Sequence, residues 1–392
     1  MTVRVATGLE RIAQADEAVL SLLQGRRLGL CAHPASVDSK LRHARHVLEE
    51  QGLNVCALFG PEHGYGGEAQ DMIAVHDGAG VTDTLPVYSL YGDSEAALSP
   101  TPEQLRGLDA IVIDLQDVGA RYYTFVWTAV LVLRAAAKSG IETIVLDRPN
   151  PLGGSVVEGE PQRSGYRSFV GLCDVPVRHG MTIGGRCHMV AEQEGLSDAL
   201  HVVNMSGYQR QLDFAQTGLP WVLPSPNMPT LDTAFVYPGG CLLEGTNLSE
   251  GRGSTRPFEI WGAPSLAAAE LARRVTAPGV LLRPLSFSPT FQKHARQRCY
   301  GLQVHITDRA ALRSYELYLR LIAEAAKLCE GEFAWRTEAY EFVVDRPAID
   351  LLTGGPEFRQ TVDQGRDLSA LLAREQAGAE RFLQARKPYL LY

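Results

Sequence analysis

The stretch LNVCALFGPEHGYGG, Leu53–Gly67, changes character halfway along. Its first half clusters apolar residues as a buried strand does, and its second half supplies Pro61, Glu62, His63 and three glycines. A strand that runs into an acid-bearing turn is what an open α/β sheet presents at the carboxyl ends of its strands, where ligand crevices form. Glu62 is therefore the first candidate for chemistry.

Working outward, Leu9–Leu23 has helical spacing and stops at Gly25, and LGLCAH, Leu28–His33, reads as a strand. Ser39 is placed to cap a helix running through Glu50, with Gly52 closing it before the strand Leu53–Phe59. Helix, strand, helix, strand favours a Rossmann-like layered α/β fold with a parallel or mostly parallel sheet. Ala110–Leu115 continues it as a central strand, and Tyr123–Lys138 is apolar around much of its circumference, which predicts a buried helix. Thr143–Leu146 forms the next strand, followed by Asp147, Arg148 and Asn150; Asp147 and Arg148 are placed to clamp one another. Several strand ends converging on one rim would build one cleft.

Further on, Ile183–Glu194 reads as a helix and His201–Asn204 as a strand. Pro220–Arg256 is rich in Pro and Gly turns yet short of charged surface stretches, which suggests an ordered wall rather than a linker. The texture changes at Trp261–Pro264. This places a catalytic domain at 1–264 and a smaller α+β domain, lining the cleft, at 265–392. Its expected elements are a helix over Ser265–Val275, strands over Leu281–Ser286 and Gly301–Ile306, a helix over Ala310–Cys329 and a last helix from Asp367.

The formal net charge of −8 lacks the basic footprint of a general phosphate-backbone binder, so nucleic acid is not an expected partner. Seven scattered cysteines without a CxxC pair argue against a disulfide scaffold or a zinc site, and His33, His63, His76 and His179 carry no HExxH signature. GYGG and NPLGG match neither a dinucleotide fingerprint nor a phosphate loop, so no cofactor is expected. There is no run of 18 apolar residues to span a membrane and no apolar leader segment near Met1. The chain as it stands reads as cytoplasmic, or as periplasmic or secreted if a leader has been removed.

The candidate site is assembled from three turns. Glu62, held in a glycine-rich turn, suits a glycosidase acid, which needs a partly buried carboxyl group; the lesser alternative is a carboxylate that satisfies loop amides or an arginine. His63 beside it is an orienting or substrate-contacting group, or a satisfied turn histidine. Asp114, Asp117 and Arg121 divide between substrate work and holding the rim, since arginine binds carboxylates with two parallel hydrogen bonds. Tyr122 is expected to line the cleft, whereas Tyr123, Phe125 and Trp127 belong to the helix core. In the distal wall Glu244 is a second carboxylate or a salt-bridged structural group. Asn227, Asn247, Glu250 and Arg252 complete the substrate-binding set.

In order and combination, these motifs resemble a bacterial family of exo-β-N-acetylmuramidases of peptidoglycan turnover, formerly a domain family of unknown function. The likeness runs through FGPEHGYGG (59–67), IDLQDVGARYYTF (113–125), LDRPNPLGG (146–154), RHGMTIG (178–184) and the segment 224–259. It continues in CYGLQVHITDR (299–309) and PAIDLL (347–352). It implies a Rossmann-like domain without a dinucleotide, a smaller carboxyl-terminal domain, and release of terminal β-linked N-acetylmuramic acid from the non-reducing end of peptidoglycan fragments. It also implies that the PEHG glutamate, Glu62, is catalytic. On this reading Glu62 protonates the leaving oxygen, and Glu244, Asp114 or the substrate's own acetamido group assists. The family commonly places Glu where this chain has Gly185, a change expected to alter helix capping or a subsite. A muropeptide- or glycan-binding protein without turnover is the alternative.

Overall fold

The structure, a computed structural model, describes residues 4–78, 84–329 and 331–392. Its larger part is a six-stranded sheet built from β1 (Arg27–Ala32), β2 (Asn54–Gly60), β3 (Val87–Ser89), β4 (Ala110–Asp114), β5 (Glu142–Leu146) and β6 (Leu200–Val203), in the order β3-β2-β1-β4-β5-β6. Every neighbouring pair is parallel. This is the doubly wound order in which the chain reverses direction across the sheet between β1 and β4, opening a crevice beyond the carboxyl ends of the strands.

The strand residues alternate between two apolar cores, as the twofold period of a strand requires. Leu28, Leu30, Val112 and Ile144 face a layer that contains Leu9, Ile12, Val47 and Leu48. Cys31, Phe59, Ile111, Ile113 and Val145 face the opposite layer, which contains Val126, Val130 and Leu133 of the helix Phe125–Lys138. That helix is buried over most of its surface, as its all-round apolar sequence predicts.

Local chemistry moves several boundaries. The Leu9–Leu23 segment is two short helices, Gly8–Ala13 and Glu17–Leu20, because Ala15 takes a left-handed φ of 55° and the Asp16 side chain caps a new start. The helix before β2 begins at Ala44 with His43 as its cap. Ser39 does not cap it: its amide and hydroxyl both donate to Glu10.

The smaller sheet is antiparallel, with β7 (Ile260–Ala263) and β8 (Val280–Phe287) flanking β9 (Cys299–Ile306). Helices Ala268–Arg274, Ser314–Leu328 and Ser369–Ala385 accompany it. Its contacts reach back before residue 265. β7 pairs with β9, and the Ser314 hydroxyl donates to the Val236 carbonyl of the buried helix Leu231–Gly240. The Pro- and Gly-rich wall of the sequence therefore holds a helix that joins the two sheets. Among the described residues, no helix is long and apolar enough to cross a membrane.

Candidate active site

β2 delivers its chain to the carboxyl edge at Gly60, and Pro61–Gly64 turns at once, closed by a Gly64 N–H to Pro61 carbonyl bond of 2.9 Å. His63 sits at the left-handed corner of that turn, with a φ of 71°, and its Nδ1 lies 2.8 Å from the Ala69 carbonyl. The turn presents Glu62 to the amino end of the helix Phe125–Lys138. There the Thr124 hydroxyl donates to its Oε2 at 2.6 Å, and the Met72 amide approaches its Oε1 at 3.4 Å.

Facing Glu62 is a narrow cleft lined by Asp71, Tyr122, Tyr123, Phe125, Asn227, Glu244, Arg252, Tyr340 and Glu341 among others. Four carboxyl groups, Glu62, Asp71, Glu244 and Glu341, thus share one lining cation, Arg252. Arg252 reaches Asp71 at 3.1 Å, Glu244 at 2.7 Å and Glu250 at 3.3 Å. Burial opposes its charge, but these three anions outweigh burial and raise it well above its ordinary range. Glu250 is held from behind by Lys293 at 3.0 Å; burial opposes its charge too, and Lys293 and Arg252 overcome it, keeping the carboxyl below its usual range. Glu244 accepts from Arg252 and, at 2.7 Å, from the Tyr340 hydroxyl. Burial nevertheless lifts it above the ordinary range, against the pull of Arg252.

Glu341 accepts from the Tyr91 hydroxyl at 3.0 Å. Burial raises its carboxyl well above the usual range, and Glu62, Glu244 and Asp71 add to that. A cluster in which one acid keeps its proton while its neighbours are ionised is the setting that acid–base catalysis needs. The aromatic walls, Tyr237 edge-on to Phe258 at 4.9 Å and to Tyr123 at 5.8 Å, give the flat apolar surfaces on which sugar rings rest. Among the described residues, no group of three or more His, Cys, Asp and Glu is arranged to hold a metal ion.

Of the residues expected from sequence, Glu62, His63, Tyr122, Asn227, Glu244 and Arg252 meet in this cleft, and Glu250 supports it from behind. The Asn227 side-chain amide donates to the Gln70 side-chain oxygen Oε1 at 2.7 Å. Four do not line it. Asp114 is fully buried with both oxygens on Arg148, at 2.6 and 2.7 Å, so no substrate reaches it. Arg148 therefore clamps Asp114, not Asp147, which accepts instead from Thr182, the Gly184 amide and Tyr392. Arg121 is buried and donates to Gln162 and to the carbonyls of Leu351 and Leu352 in the helix Ala348–Thr353. Asn247 uses both ends of its amide on the backbone of Glu332 and Ala334.

Asp117 lies inside, accepting from the Gly119 amide at 2.9 Å, with His179 Nε2 3.7 Å away. That contact is not an ion pair, because burial, Arg186 and Arg386 hold His179 neutral. Tyr123 and Phe125, assigned to the helix core, also line the cleft, since the helix begins only at Phe125. Asp71, Tyr91, Tyr340 and Glu341 carried no signal in the sequence.

Fold and site together define an α/β protein of the doubly wound class with a carboxyl-rich, aromatic-walled cleft of the glycosidase kind. The chain belongs to the exo-β-N-acetylmuramidase NamZ family: the family's amino-terminal model matches residues 28–232 and its carboxyl-terminal model residues 235–392. It is 39% identical over 374 residues to the peptidoglycan β-N-acetylmuramidase NamZ of Bacillus subtilis strain 168, covering 94% of this chain and 88% of that protein. Crystal structures of two DUF1343 family proteins from Bacteroides fragilis superpose with TM-scores of 0.87 and 0.73, at 33% and 26% identity. The first covers 100% of this chain and 99% of that one; the second covers 99% of each.

Proposed function

We infer that the protein is an exo-acting β-N-acetylmuramidase, a glycoside hydrolase that releases terminal N-acetylmuramic acid from the non-reducing end of peptidoglycan fragments. The observation that carries this reading is the cleft itself. Glu62, on the PEHG turn at the carboxyl edge of the sheet, faces further carboxyl groups and, among the described residues, one lining arginine, within a chain that matches the family's two models over residues 28–232 and 235–392. Glycoside hydrolysis commonly needs two carboxyl groups on either side of the scissile bond, one protonated and one ionised. Glu62 is one of the two; Glu244 and Glu341 are the groups placed to be the other. The Asn227 side chain, next to Gln70, is suited to reading the acetamido group, and the tyrosines and Phe258 to the faces of the ring.

The unpaired cysteines, five of them buried, fit a reducing compartment, which supports action in the cytoplasm on imported wall fragments. The decisive assay compares hydrolysis of a β-N-acetylmuramide with that of the matching β-N-acetylglucosaminide. Selective turnover of the muramide is expected. Binding of the muramide without turnover would show a sensor rather than an enzyme.

A further inference from the structure

Glu341 enters the cleft on a turn that its sequence does not favour. Glu341 and Phe342 both take left-handed backbone, with φ of 47° and 67°. The flanking Tyr340 and Val343 close the turn through reciprocal backbone bonds of 3.0 and 2.9 Å. Asn and Gly normally fill such positions, because a bulky side chain there is strained and persists only where its surroundings fix it. The turn aims the Glu341 carboxyl group at the Tyr91 hydroxyl and packs Phe342 edge-on to the Tyr91 ring at 6.0 Å. Glu62, Asp71 and Glu244 line the same cleft.

Building on the muramidase reading, we propose that Glu341 is the proton donor of the reaction and that Glu62 is its ionised partner. The surroundings of the two groups differ in the way this requires. Glu62 sits at the amino end of a long helix, where backbone dipoles favour negative charge, and accepts from Thr124 and the Met72 amide. Glu341 is buried to the same extent but, among the described residues, lacks the helix end and the backbone amide that serve Glu62. Burial, then the charges of Glu62, Glu244 and Asp71, favour its protonated form, and the Tyr91 hydrogen bond opposes them. Arg252 is committed to Asp71, Glu244 and Glu250 and leaves the proton on Glu341 undisturbed.

These roles reverse the proton donation that the PEHG motif alone suggests. In the step, the bond between the anomeric carbon and the glycosidic oxygen breaks, its electron pair stays on the oxygen, and the Glu341 proton caps it. Water supplies the oxygen that completes the anomeric carbon, and the proton that water gives up restores the carboxyl pair. The negative charge of Glu62 stabilises the positive charge that develops on the sugar ring.

The test exploits leaving groups. A muramide β-1,4-linked to N-acetylglucosamine needs its leaving oxygen protonated, whereas a 4-nitrophenyl muramide does not. Glu341→Gln should lose about 10²–10⁴-fold in kcat/KM on the disaccharide but only about tenfold on the aryl glycoside, and should lose the alkaline limb of its pH profile. Glu62→Gln should fail on both substrates. Equal losses for Glu341→Gln on the two substrates, or the selective loss appearing in Glu62→Gln, would overturn the assignment.

Tyr91→Phe provides a second variant should Glu341→Gln not fold. Losing a hydrogen bond to the ionised form should move the alkaline limb to higher pH, and an unmoved limb overturns the proposal. A folded wild type that cleaves neither substrate would defeat the muramidase reading itself, whereas an active wild type with the wrong variant pattern defeats only the division of roles between Glu341 and Glu62.

Discussion

Asp114 and Glu62 both lie buried at the carboxyl edge of the parallel sheet, and their partners could hardly differ more. Asp114 meets one arginine with two short bonds, so charge and hydrogen bonding are both satisfied within a closed pair. Glu62 stands among three other carboxyl groups lining a cleft that, among the described residues, offers them one arginine, Arg252. A balanced buried pair is inert, because any change of protonation breaks it. An unbalanced cluster must keep a proton somewhere, and a proton kept near neutrality can be passed to a substrate. Burial alone does not tell structural carboxylates from chemical ones; the count of compensating charges does.

The largest effects separate these two plans. Glu62→Gln should reduce kcat by about 10²–10⁴-fold while the denaturation midpoint barely moves, because the amide keeps the volume and can still accept from Thr124. Asp114→Ala should do the opposite. It leaves the Arg148 guanidinium buried and unpaired, at about 3–5 kcal/mol of stability in urea unfolding, while the molecules that remain folded turn over substrate normally. Loss of turnover in a stable Asp114→Ala protein would break the comparison and return Asp114 to the chemistry.

That contrast also explains what was legible in the sequence. The parallel sheet, the buried helix and the Glu62 turn were readable because strand periodicity, all-round apolarity and the PEHG glycines are local signals. Asp114 divides between substrate work and holding the rim because it, like Glu62, stands at the end of an apolar strand. Only the packing of β5 beside β4 brings Arg148 onto Asp114, and no spacing in the chain announces that. Glu341 was invisible for the converse reason: its turn has neither Gly nor Asn, so a left-handed corner was not expected there. Asp71 falls in an irregular passage whose course is set by long-range contacts, including that with Arg252.

Asp117 offers a third case, a buried acid that, among the described residues, is hydrogen-bonded by the Gly119 amide and feels Arg186 only at a distance. Burial pushes it up to about 7, against the amides of Gly119 and Val118. Since the folded value is above the unfolded one, the folded state holds a proton that the unfolded state has already released. The stabilising contribution is complete below about pH 4 and is lost as pH rises through about 7. Asp117→Asn removes this dependence. The stability of the wild type relative to the variant should fall across that window by at most roughly 1.4 kcal/mol per pH unit, measured by denaturant unfolding at a series of pH values. A flat difference would mean that His179 or Arg186 balances Asp117 after all, and would move it into the class of Asp114.

The smallest effects concern the rim where charge plays least part. Asp147 is buried at the end of β5, hydrogen-bonded by neutral donors that include the Gly184 amide at 2.8 Å, and burial raises it to about 6. A Cβ at Gly184 would lie 2.7 Å from the Asp147 carboxyl carbon and 2.6 Å from Val202, so Gly184→Ala should cost about 1–3 kcal/mol by overpacking. The next residue behaves differently. Gly185 is in the first turn of the helix Ile183–Glu194, its amide held by the Thr182 hydroxyl, and a Cβ there meets nothing closer than 3.5 Å. A glutamate at this position would stand where a capping box with Thr182 forms, and Gly185 is not among the residues that line the cleft. Gly185→Ala should therefore raise stability by about 0.5–1 kcal/mol through helix propensity alone and leave kcat/KM on the muramide unchanged. A change in substrate preference on that substitution would show that the rim and the cleft are coupled, and that the balanced and unbalanced halves of this edge do not act independently.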